Sequence, residues 1–433
     1  MSSEWVPFTE LLAKIVDNRG KTCPVGDIGI PLIATNCITN GALYPTYDTT
    51  RFVSRNTYET WFRGHPEPGD ILFVCKGSPG RTNWVPNPVD FCIAQDMVAV
   101  RANPDRVYPK YLFAALRSSA VQSQIDNMHV GTMIPHFKKG DFSKLRIPLP
   151  GPAEQEFIGD FYFAFSERIA ILREINATLD AIAQALFKSW FVDYDPVRAK
   201  QEGRTPEGMD EAAASLFPDG FEESAQGLVP RGWKVCAVGD AVDCVGGGTP
   251  DTKNVDFWVP GEHAWTTPKD LSGLQSPILL QTERMLSNSG LAKVSSGLLP
   301  AGTLLMSSRA PIGYLAIAQM PVAVNQGYIA MPPGGKLPPQ YMLFWCRHNM
   351  DTIKSHANGS TFMEISKKAF RPLPALVPKA EVLAEFLRIV EPVFARVVEN
   401  ERQIQTLATL RDTLLPRLIS GQLRLPKAEA LVA

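Results

Sequence analysis

Two stretches, "INATLDAIAQALFKSWF" at residues 175–191 and "IQTLATLRDTLLPRLIS" at residues 404–420, decide the fold of this chain. Each combines regularly spaced apolar residues with strong helix formers, which is typical of the end of a long amphipathic helix. A shift of 228 residues superimposes the two stretches, so that Leu186 falls on Leu414. We therefore interpret the second stretch as a diverged copy of the first.

The repetition extends outward from these helix ends over most of the chain. "GDILFVCKGSPG" at residues 69–80 matches "GTLLMSSRAPIG" at residues 302–313, and "IAQDMVAV" at residues 93–100 matches "VNQGYIAM" at residues 324–331. One long unit used twice differs from a solenoid, which needs short periods and several copies. Further aligned pairs are Trp5 with Trp233, Gly131 with Gly359, Phe142 with Phe370, and Pro150 with Pro378.

Each copy opens with short β-rich patches and continues with short helical patterns. Apolar, β-branched runs near Gly or Pro predict strands. The fold class is therefore α+β, with two similar mixed α/β domains at residues 1–150 and 233–378. The predicted strands cover residues 71–74, 93–100, 304–306 and 322–331, and the predicted helices cover residues 108–123 and 339–354.

A sustained 3.5-residue repeat follows each mixed domain and predicts two long coiled-coil helices, at residues 151–191 and 379–420. Both helices place an asparagine, Asn176 and Asn400, at the same frame position, where a polar group fixes the register. Pro392 predicts a kink or a late start in the second helix. The alternative, two unrelated amphipathic helices that each pack on their own domain, stays open. The frames are Ile158, Tyr162, Phe165, Ile169, Leu172, Asn176, Leu179, Ala183, Leu186 and Trp190, and then Phe386, Val390, Val393, Val397, Asn400, Ile404, Leu407, Arg411, Leu414 and Leu418.

The connector at residues 192–232 is acidic, rich in turn formers and poor in large apolar residues, which predicts an extended segment. Basic residues outnumber acidic ones by 16 to 13 in residues 1–150 and by 12 to 9 in residues 233–378, whereas the connector has 4 against 9. The positive excess therefore belongs to the two mixed domains and favours an anionic partner. A tail at residues 421–433 follows the second helix.

The composition excludes several classes of protein. The 7 cysteines of the 433-residue chain are scattered without a C-x-x-C pair, which argues against a disulfide framework and a zinc site. There is no run of 18 apolar residues, and the start "MSSEWVPFTE" lacks the basic and apolar regions of a signal peptide. We expect a cytoplasmic protein without a membrane partner.

No motif in the sequence predicts a catalytic site. "VGGGTPDTKN" at residues 245–254 lacks both G-x-x-x-x-G-K-[ST] and G-x-G-x-x-G, so it predicts a close-approaching turn rather than a phosphate loop. The 6 histidines show no metal-ligand spacing. Asp96 and Asp270 are isolated acids, which usually serve as helix caps or surface groups. The sequence thus favours binding over catalysis.

Polar side chains suited to DNA gather in the two mixed domains. Arg and Lys suit guanine edges and phosphates, and Asn and Gln suit adenine. Lysine pairs near matching positions of both copies favour phosphate contact, with solvated loops as the alternative. The candidate DNA-binding residues are Lys76, Arg81, Gln95, Lys138 and Lys139 in the first domain, and Thr249, Thr252, Lys253, Thr267, Lys269, Ser308, Arg309, Asn325, Gln326, Lys367 and Lys368 in the second.

Several long, ordered strings resemble the specificity subunit of Type I restriction-modification enzymes. "NATLDAIAQALFKSWFVDYDPVRAKQEG", followed by "PEGMD", "LFPDGFEES" and "VPRGWK", is similar to the central conserved region of that family. "TLATLRDTLLPRLISGQL" is similar to its distal conserved region, and "GGGTPDTKNVDFW" with "WTTPKDLS" resembles a frequent opening of its second target-recognition domain. The resemblance covers essentially the whole chain.

This resemblance implies that the two helices pair antiparallel about a pseudo-twofold axis, with a target-recognition domain at each end. Each domain would read one half of a bipartite, asymmetric site in double-stranded DNA, and the helices would set the spacer. The exposed ends of the helices would dock two modification subunits. The implied interface residues are Leu186, Trp190, Phe191, Leu414 and Leu418.

The resemblance also implies that the chain itself is not an enzyme and binds no cofactor. S-adenosylmethionine would belong to the modification subunits, and ATP and Mg to restriction subunits. Two rival functions stay open from the residues alone: a protein-binding coiled-coil scaffold without a DNA role, and an independent nuclease. The target sequence and its spacer are not predicted, because one sequence supplies no recognition code.

Overall fold

The structure is a computed structural model that describes residues 4–18, 21–47, 51–128, 134–224, 227–359 and 363–423. It divides into two compact units, one formed by residues 1–172 with 404–433 and the other by residues 173–403. Gly131 and residues 424–433 of the predicted tail lie outside the described residues. Over the described ranges, no helix is both long and apolar enough to cross a membrane.

The first mixed domain combines short strands with three helices. Its strands are β1 (Glu4–Pro7), β2 (Leu12–Val16), β3 (Ile30–Ile33), β4 (Phe52–Val53), β5 (Ile71–Val74), β6 (Thr82–Trp84), β7 (Cys92–Ile93), β8 (Met97–Ala102) and β9 (Arg146–Leu149), and its helices are α1 (Arg55–Thr60), α2 (Pro109–Arg117) and α3 (Ser119–Met128). An antiparallel sheet has the order β2-β8-β5-β6, a second sheet has the order β4-β3-β7 with β3 and β7 parallel, and β1 pairs with β9.

The first long helix is followed by a folded connector. The helix is α4 (Pro152–Lys188), which ends in a π-helical turn (Ser189–Asp193), and the connector contains α5 (Asp195–Gln201), α6 (Glu211–Ser215), β10 (Phe221–Ser224) and β11 (Gly227–Pro230). The prediction of an extended connector is wrong. Tyr194 adopts a left-handed conformation with φ 58°, and three apolar connector residues, Val197, Phe217 and Val229, are buried.

The second mixed domain repeats the plan of the first. Its strands are β12 (Lys234–Ala237), β13 (His263–Thr266), β14 (Ile278–Leu279), β15 (Arg284–Leu286), β16 (Leu304–Ser307), β17 (Leu315–Ala318), β18 (Ala323–Val324), β19 (Tyr328–Met331) and β20 (Pro374–Val377), and its helices are α7 (Val238–Ala241), α8 (Pro268–Leu271), α9 (Asn288–Leu291), α10 (Pro339–His348), α11 (Met350–Ser355) and α12 (Lys367–Phe370). The sheets are β14-β17-β16-β19, β15-β13-β18 and β12-β20.

Strand pairing establishes which elements of the two domains correspond. The antiparallel trio β8-β5-β6 matches β19-β16-β17, and the parallel pair β3 and β7 matches β13 and β18. The predicted strands at residues 93–100 and 322–331 are each divided in two by a turn. The fold is therefore the predicted α+β arrangement, with two similar mixed domains.

The registers of the strand pairs β1–β9 and β12–β20 correct one detail of the sequence alignment. Trp5 of β1 lies opposite Pro148, whereas Val235 of β12 lies opposite Leu376. Trp5 therefore occupies the place of Val235, and its alignment with Trp233 is wrong by two residues. The shared tryptophan concealed this shift, because Trp233 lies one residue before β12 whereas Trp5 lies within β1.

The second long helix is α13 (Ala380–Ile419), a continuous helix of 40 residues. It begins twelve residues before Pro392, so the predicted late start is wrong. Pro392 lies on the exposed side of the helix. Within the first unit, α13 packs against α4 through Ile404, Ile169 and Leu172. Within the second unit, Phe386 of α13 contacts Phe187 of α4.

These contacts show that the helices pair antiparallel inside each unit, because rising residue numbers in α4 meet falling numbers in α13. Arg411 donates to the Ser166 hydroxyl at 3.2 Å in the first unit. Asn400 meets Asn176 in the second unit. The alternative of two unrelated helices, each packed only on its own domain, is therefore wrong.

Candidate DNA-binding surface

The glycine-rich loop of the second domain lies directly against the end of β18. A Cβ atom at Gly247 would lie 1.6 Å from the carbonyl oxygen of Val324, so this approach requires glycine. The Gly248 amide donates to the same carbonyl at 3.0 Å. The Thr249 hydroxyl donates to Oε1 of Gln326 at 2.6 Å. The loop thus places two exposed candidate residues, Thr249 and Gln326, side by side.

The turn after β18 joins this loop to two neighbouring strands. Oδ1 of Asn325 accepts from the Gly327 amide at 2.8 Å, a side-chain contact that stabilises a tight turn. The Asn325 amide donates to the Thr266 carbonyl at 3.1 Å, and the Ser308 amide donates to the Gly327 carbonyl at 2.8 Å. Ser308 is only 3% exposed, which removes its side chain from the surface candidates because it is packed beneath the turn.

A charged pair flanks the turn. Thr267 donates its amide and its hydroxyl to Asp270, at 2.7 and 3.0 Å, so this threonine is occupied in starting α8. Lys269 contacts Glu283 at 2.8 Å, and this hydrogen bond raises the pKa of the lysine. Both partners are exposed. Such surface pairs contribute little stability, so Glu283 holds Lys269 only weakly.

Two further basic residues belong to this surface, Arg309 next to Ser308 beside the turn and Lys367 at the glycine-rich loop. Arg309 pairs with Glu364, with 3.6 Å between nitrogen and oxygen. Lys367 extends over the glycine-rich loop, because a Cβ atom at Gly246 would lie 2.9 Å from its Nζ. Lys368 is exposed beside it. The candidate residues gathered around this loop and the adjoining turn are therefore Thr249, Lys269, Arg309, Asn325, Gln326 and Lys367.

Thr252 and Lys253 lie further along the loop and are exposed. Their turn is closed by Asp251, whose Oδ1 accepts from the Lys253 amide at 2.9 Å. The structure thus keeps both residues at the surface, adjacent to the gathered group.

The first domain repeats the same backbone contacts. The amides of Cys75 and Lys76 donate to the Asp96 carbonyl at 2.9 and 3.2 Å, and the Phe137 amide donates to the Cys75 carbonyl at 2.9 Å. Ser308 of the second domain makes the corresponding bonds in the corresponding strand. The two surfaces are therefore built on one backbone plan, although few of their side chains agree.

Equivalent basic residues differ in their partners. Lys76 takes the position of Arg309, and Lys139 takes the position of Lys367. Lys139 forms an ion pair with Asp17. The position of Asp17 is occupied in the second domain by Gly246, because Val16 and Val245 pair with corresponding strands. The Asp17 carboxylate offsets much of the positive electrostatic potential around Lys139. The first domain therefore presents less positive charge at this point than the second.

The remaining candidates of the first domain are more dispersed. Arg81 and Lys138 are exposed, and Gln95 is half-buried beside the turn after β7. Asn18 was not predicted, yet its side-chain amide donates to the Ile93 carbonyl at 2.9 Å. This bond replaces the backbone contact made by the second domain's glycine-rich loop. The Asn18 side chain thus makes the strand contact that the glycine-rich loop makes in the second domain.

Sequence reasoning also missed an arginine stack in the second domain. The guanidinium carbon of Arg284 lies 3.3 Å from the ring centroid of Trp258 and 5.6 Å from that of Trp265. Trp258 and Trp265 stand in the quoted strings of the second domain, but no local motif marks Arg284, which strand pairing brings opposite Trp265.

The described residues contain no group of three or more His, Cys, Asp or Glu that could hold a metal ion. Burial raises the pKa of the Cys75 and Cys92 thiols to about 12 and that of Cys244 to about 11. Thiols with such pKa values stay protonated near neutral pH, and a nucleophile or metal ligand must be a thiolate. These thiols therefore act as small apolar side chains.

The asparagine pair predicted to fix the helix register is in contact. Nδ2 of Asn400 donates to Oδ1 of Asn176 at 2.7 Å, and Nδ2 of Asn176 donates to Oε1 of Glu401 at 2.8 Å. Asn400 is fully buried and Asn176 is 3% exposed. The pair therefore lies within the helix interface, where a polar contact discriminates against other registers.

The interpretation of Trp190 and Phe191 as an exposed aromatic pair is wrong. They are only 3% and 4% exposed, because Phe217 of the connector and Phe386 of α13 pack against them. At the other helix end, residues of α13 pack into the first domain's core. Of the candidate interface residues, Trp190, Phe191, Leu414 and Leu418 are buried and Leu186 is half-buried.

Each helix end borders a cavity, and the two cavities correspond. The first has about 470 Å³ and lies between Ile419, Trp5 and the C-terminal end of α2. The second has about 250 Å³ and lies between Phe191, Val235 and the C-terminal end of α10. Ile419 and Phe191 are 228 residues apart, as the repeat requires. The repeat therefore supplies two versions of one surface recess.

Comparison with known proteins identifies the same duplication. The family model described as Type I restriction modification DNA specificity domain matches residues 14–181 and again residues 230–409. The specificity subunit of the Type I restriction enzyme HindI from Haemophilus influenzae is 26% identical over 409 residues, which cover 82% of this chain and 86% of that protein.

Two further comparisons agree. The specificity subunit of the Type I restriction enzyme MjaIX from Methanocaldococcus jannaschii is 31% identical over 166 residues, 38% of each chain. The crystal structure of a Type I restriction-modification S subunit from M. genitalium is 16% identical, covers 96% of both chains and superimposes with a TM-score of 0.55. At that identity, the structural likeness concerns the fold.

The chain combines two mixed domains of one family with a pair of antiparallel helices, and each domain presents a polar surface on the same backbone plan. These features define a DNA-recognition protein. The chain belongs to the family of Type I restriction-modification DNA specificity subunits. Its role is DNA sequence recognition in such a system, and specificity subunits are its non-catalytic component. The rival hypotheses of a nuclease and of a scaffold without a DNA role are therefore wrong.

Proposed function

We propose that each mixed domain reads one half of a bipartite, asymmetric DNA site and that the two long helices set the unread spacer. The observation that carries this proposal is the shared backbone plan, which presents different side chains at the same positions of two domains. Base-reading groups such as Arg, Asn and Gln distinguish sequences through the major groove. Two surfaces with the same frame and different groups suit two unlike half-sites.

The helix lengths support the role of a spacer. Helices of 37 and 40 residues span about 55 and 60 Å at ~1.5 Å per residue. Half-sites one helical turn apart are separated by about 34–36 Å of DNA. Helices of this length are sufficient to hold two reading domains over adjacent turns of one face of the duplex.

We further propose that two modification subunits dock at the two corresponding cavities. The buried aromatic residues at the helix ends cannot supply these contacts, but the recesses beside them are open and occur twice. A duplicated recess suits two copies of one partner. S-adenosylmethionine would then be held by the modification subunits, and ATP and Mg by restriction subunits, while this chain supplies DNA specificity and assembly.

Mapping methylated adenines in cells that carry the complete system tests this proposal. The wild-type motif is expected to have two defined halves around an unread spacer. Arg309→Ala is expected to relax or weaken only one half, and Lys76→Ala, at the corresponding position of the first domain, only the other. Lys269→Ala is expected to act on the same half as Arg309→Ala. Equal changes in both halves would contradict separate reading by the two domains.

A further inference from the structure

An arginine occupies the same strand position in both domains. In the second domain, Arg284 of β15 lies opposite Trp265 of β13. In the first, the Leu32 amide donates to the Arg51 carbonyl at 3.0 Å, one step beyond the β3–β4 pairs. The parallel pairs Leu32 with Cys92 and Trp265 with Ala323 establish this correspondence. Both arginines are half-buried.

The contacts around Arg284 link it to the glycine-rich loop on one side and to Lys269 on the other. The indole nitrogen of Trp265 donates to the Gly248 carbonyl at 3.1 Å, and that of Trp258 donates to the Asp251 carbonyl at 3.1 Å. These bonds hold the two rings against the glycine-rich loop. On the other side, the neighbouring Glu283 holds Lys269. Arg284 therefore lies between the loop and Lys269.

The stack also determines how Arg284 presents its hydrogen-bond donors. A guanidinium 3.3 Å from the Trp258 ring centroid is held by its flat face, which is a favourable cation–π geometry. Its N–H groups lie in its own plane, so stacking leaves them available at the edges. In the described part of the chain, no Asp or Glu forms an ion pair with Arg284, whereas Lys269 and Arg309 each have one.

The corresponding arginine lies near the same part of its own domain. Arg51 donates to Oδ1 of Asn36 at 3.5 Å. Asn36 follows the end of β3 by three residues, as Lys269 follows the end of β13. An arginine beside this segment is thus common to both copies, while its contacts differ. Repetition of the position in two diverged domains argues for a function beyond packing of one aromatic cluster.

We propose that Arg284 is a DNA-contact residue of the second domain and that Arg51 has the same role in the first. The chemistry that Arg284 fits is a pair of acceptors able to receive two parallel N–H bonds. On DNA, these acceptors are either O6 and N7 of a guanine or two oxygens of a phosphate. This inference rests on the proposed reading of one half-site by each domain.

The test uses the complete modification complex and a duplex that carries one of its mapped wild-type sites. Arg284→Ala and Arg284→Lys are compared by methylation motif in cells and by the dependence of binding on salt. If the acceptor is guanine, Arg284→Ala weakens discrimination at one G·C pair of one half-site by about tenfold or more. If it is phosphate, the motif stays unchanged and the slope of log affinity against log salt falls by about one, with Arg284→Lys retaining most of the slope.

Arg51→Ala is expected to produce the corresponding change in the other half-site. Arg388→Ala is the matched control, because this exposed arginine pairs with Glu385 on α13 and lies on neither domain surface. If Arg284→Ala does not assemble, Arg284→Gln replaces it in both measurements. A wild-type motif together with a wild-type salt slope overturns the inference. Arg309→Ala, measured in parallel, separates that outcome from failure of half-site reading itself.

Discussion

Gly247 is the residue on which the second domain's loop most directly depends. A Cβ atom there would meet the backbone of Val324, whereas a Cβ atom at Gly273, in the same domain, has nothing within 4 Å. Gly247→Ala therefore forces the loop outward and breaks the Gly248 bond. We expect a loss of about 2–3 kcal/mol in the free energy of unfolding, measured by urea denaturation, and weaker reading of one half-site.

Gly273→Ala is the matched control and is expected to change stability by less than about 0.5 kcal/mol. Equal stability of the two variants would mean that the loop moves away from β18 at no cost. In that case, the glycine-rich stretch would not position Thr249 beside Gln326, and the surface would have to be organised by another contact.

Individual residues also show where the sequence was sufficient. The strand around Lys76 and Arg309 was predicted because both copies keep its apolar pattern between glycines. Arg284 and Asn18 were missed, since their roles depend on strand pairing across long sequence separations. Trp190 was assigned to the surface because no local sequence pattern shows that the connector packs against it. Periodicity predicts which residues are apolar, but it does not identify what covers them.

At the scale of the elements, the asparagine pair couples α4 to α13. Asn176→Leu leaves the amide of fully buried Asn400 without its side-chain partner. We expect this single change to cost about 1–3 kcal/mol. The double variant with Asn400→Leu is expected to recover part of that loss, because it removes both polar groups together. Urea denaturation of the four proteins in a double-mutant cycle measures this coupling.

Additive costs in that cycle would show that the two amides do not stabilise one another. The same double variant also tests register. If the polar pair selects a single register of α4 against α13, its replacement by leucines is expected to broaden the spacers found in the methylation map. A single unchanged spacer would assign register to other contacts, such as that between Arg411 and Ser166.

The whole molecule is expected to carry two modification subunits, one for each corresponding cavity. Trp5 borders the first cavity and is 46% exposed, so Trp5→Arg introduces a charge there without disturbing the core. Native mass spectrometry of the purified complex is expected to show mainly one modification subunit instead of two. Leu298→Arg, another exposed apolar position at 40%, is the control and is expected to keep both. Two subunits bound to the Trp5 variant would place docking elsewhere.

The length of the helix pair is the property that relates the whole molecule to its DNA site. One heptad added to both α4 and α13, at opposed positions so that their pairing is kept, lengthens the pair by about 10 Å. At ~3.4 Å per base pair, this corresponds to about three additional base pairs of spacer. The methylation map is expected to retain both half-sites and to show the longer spacer. A heptad added to α13 alone shifts its apolar seam against α4, so this control is expected to lose methylation. If the symmetric insertion left the spacer unchanged, the helices would serve as a connection between the domains and the spacing would have to come from the partner subunits.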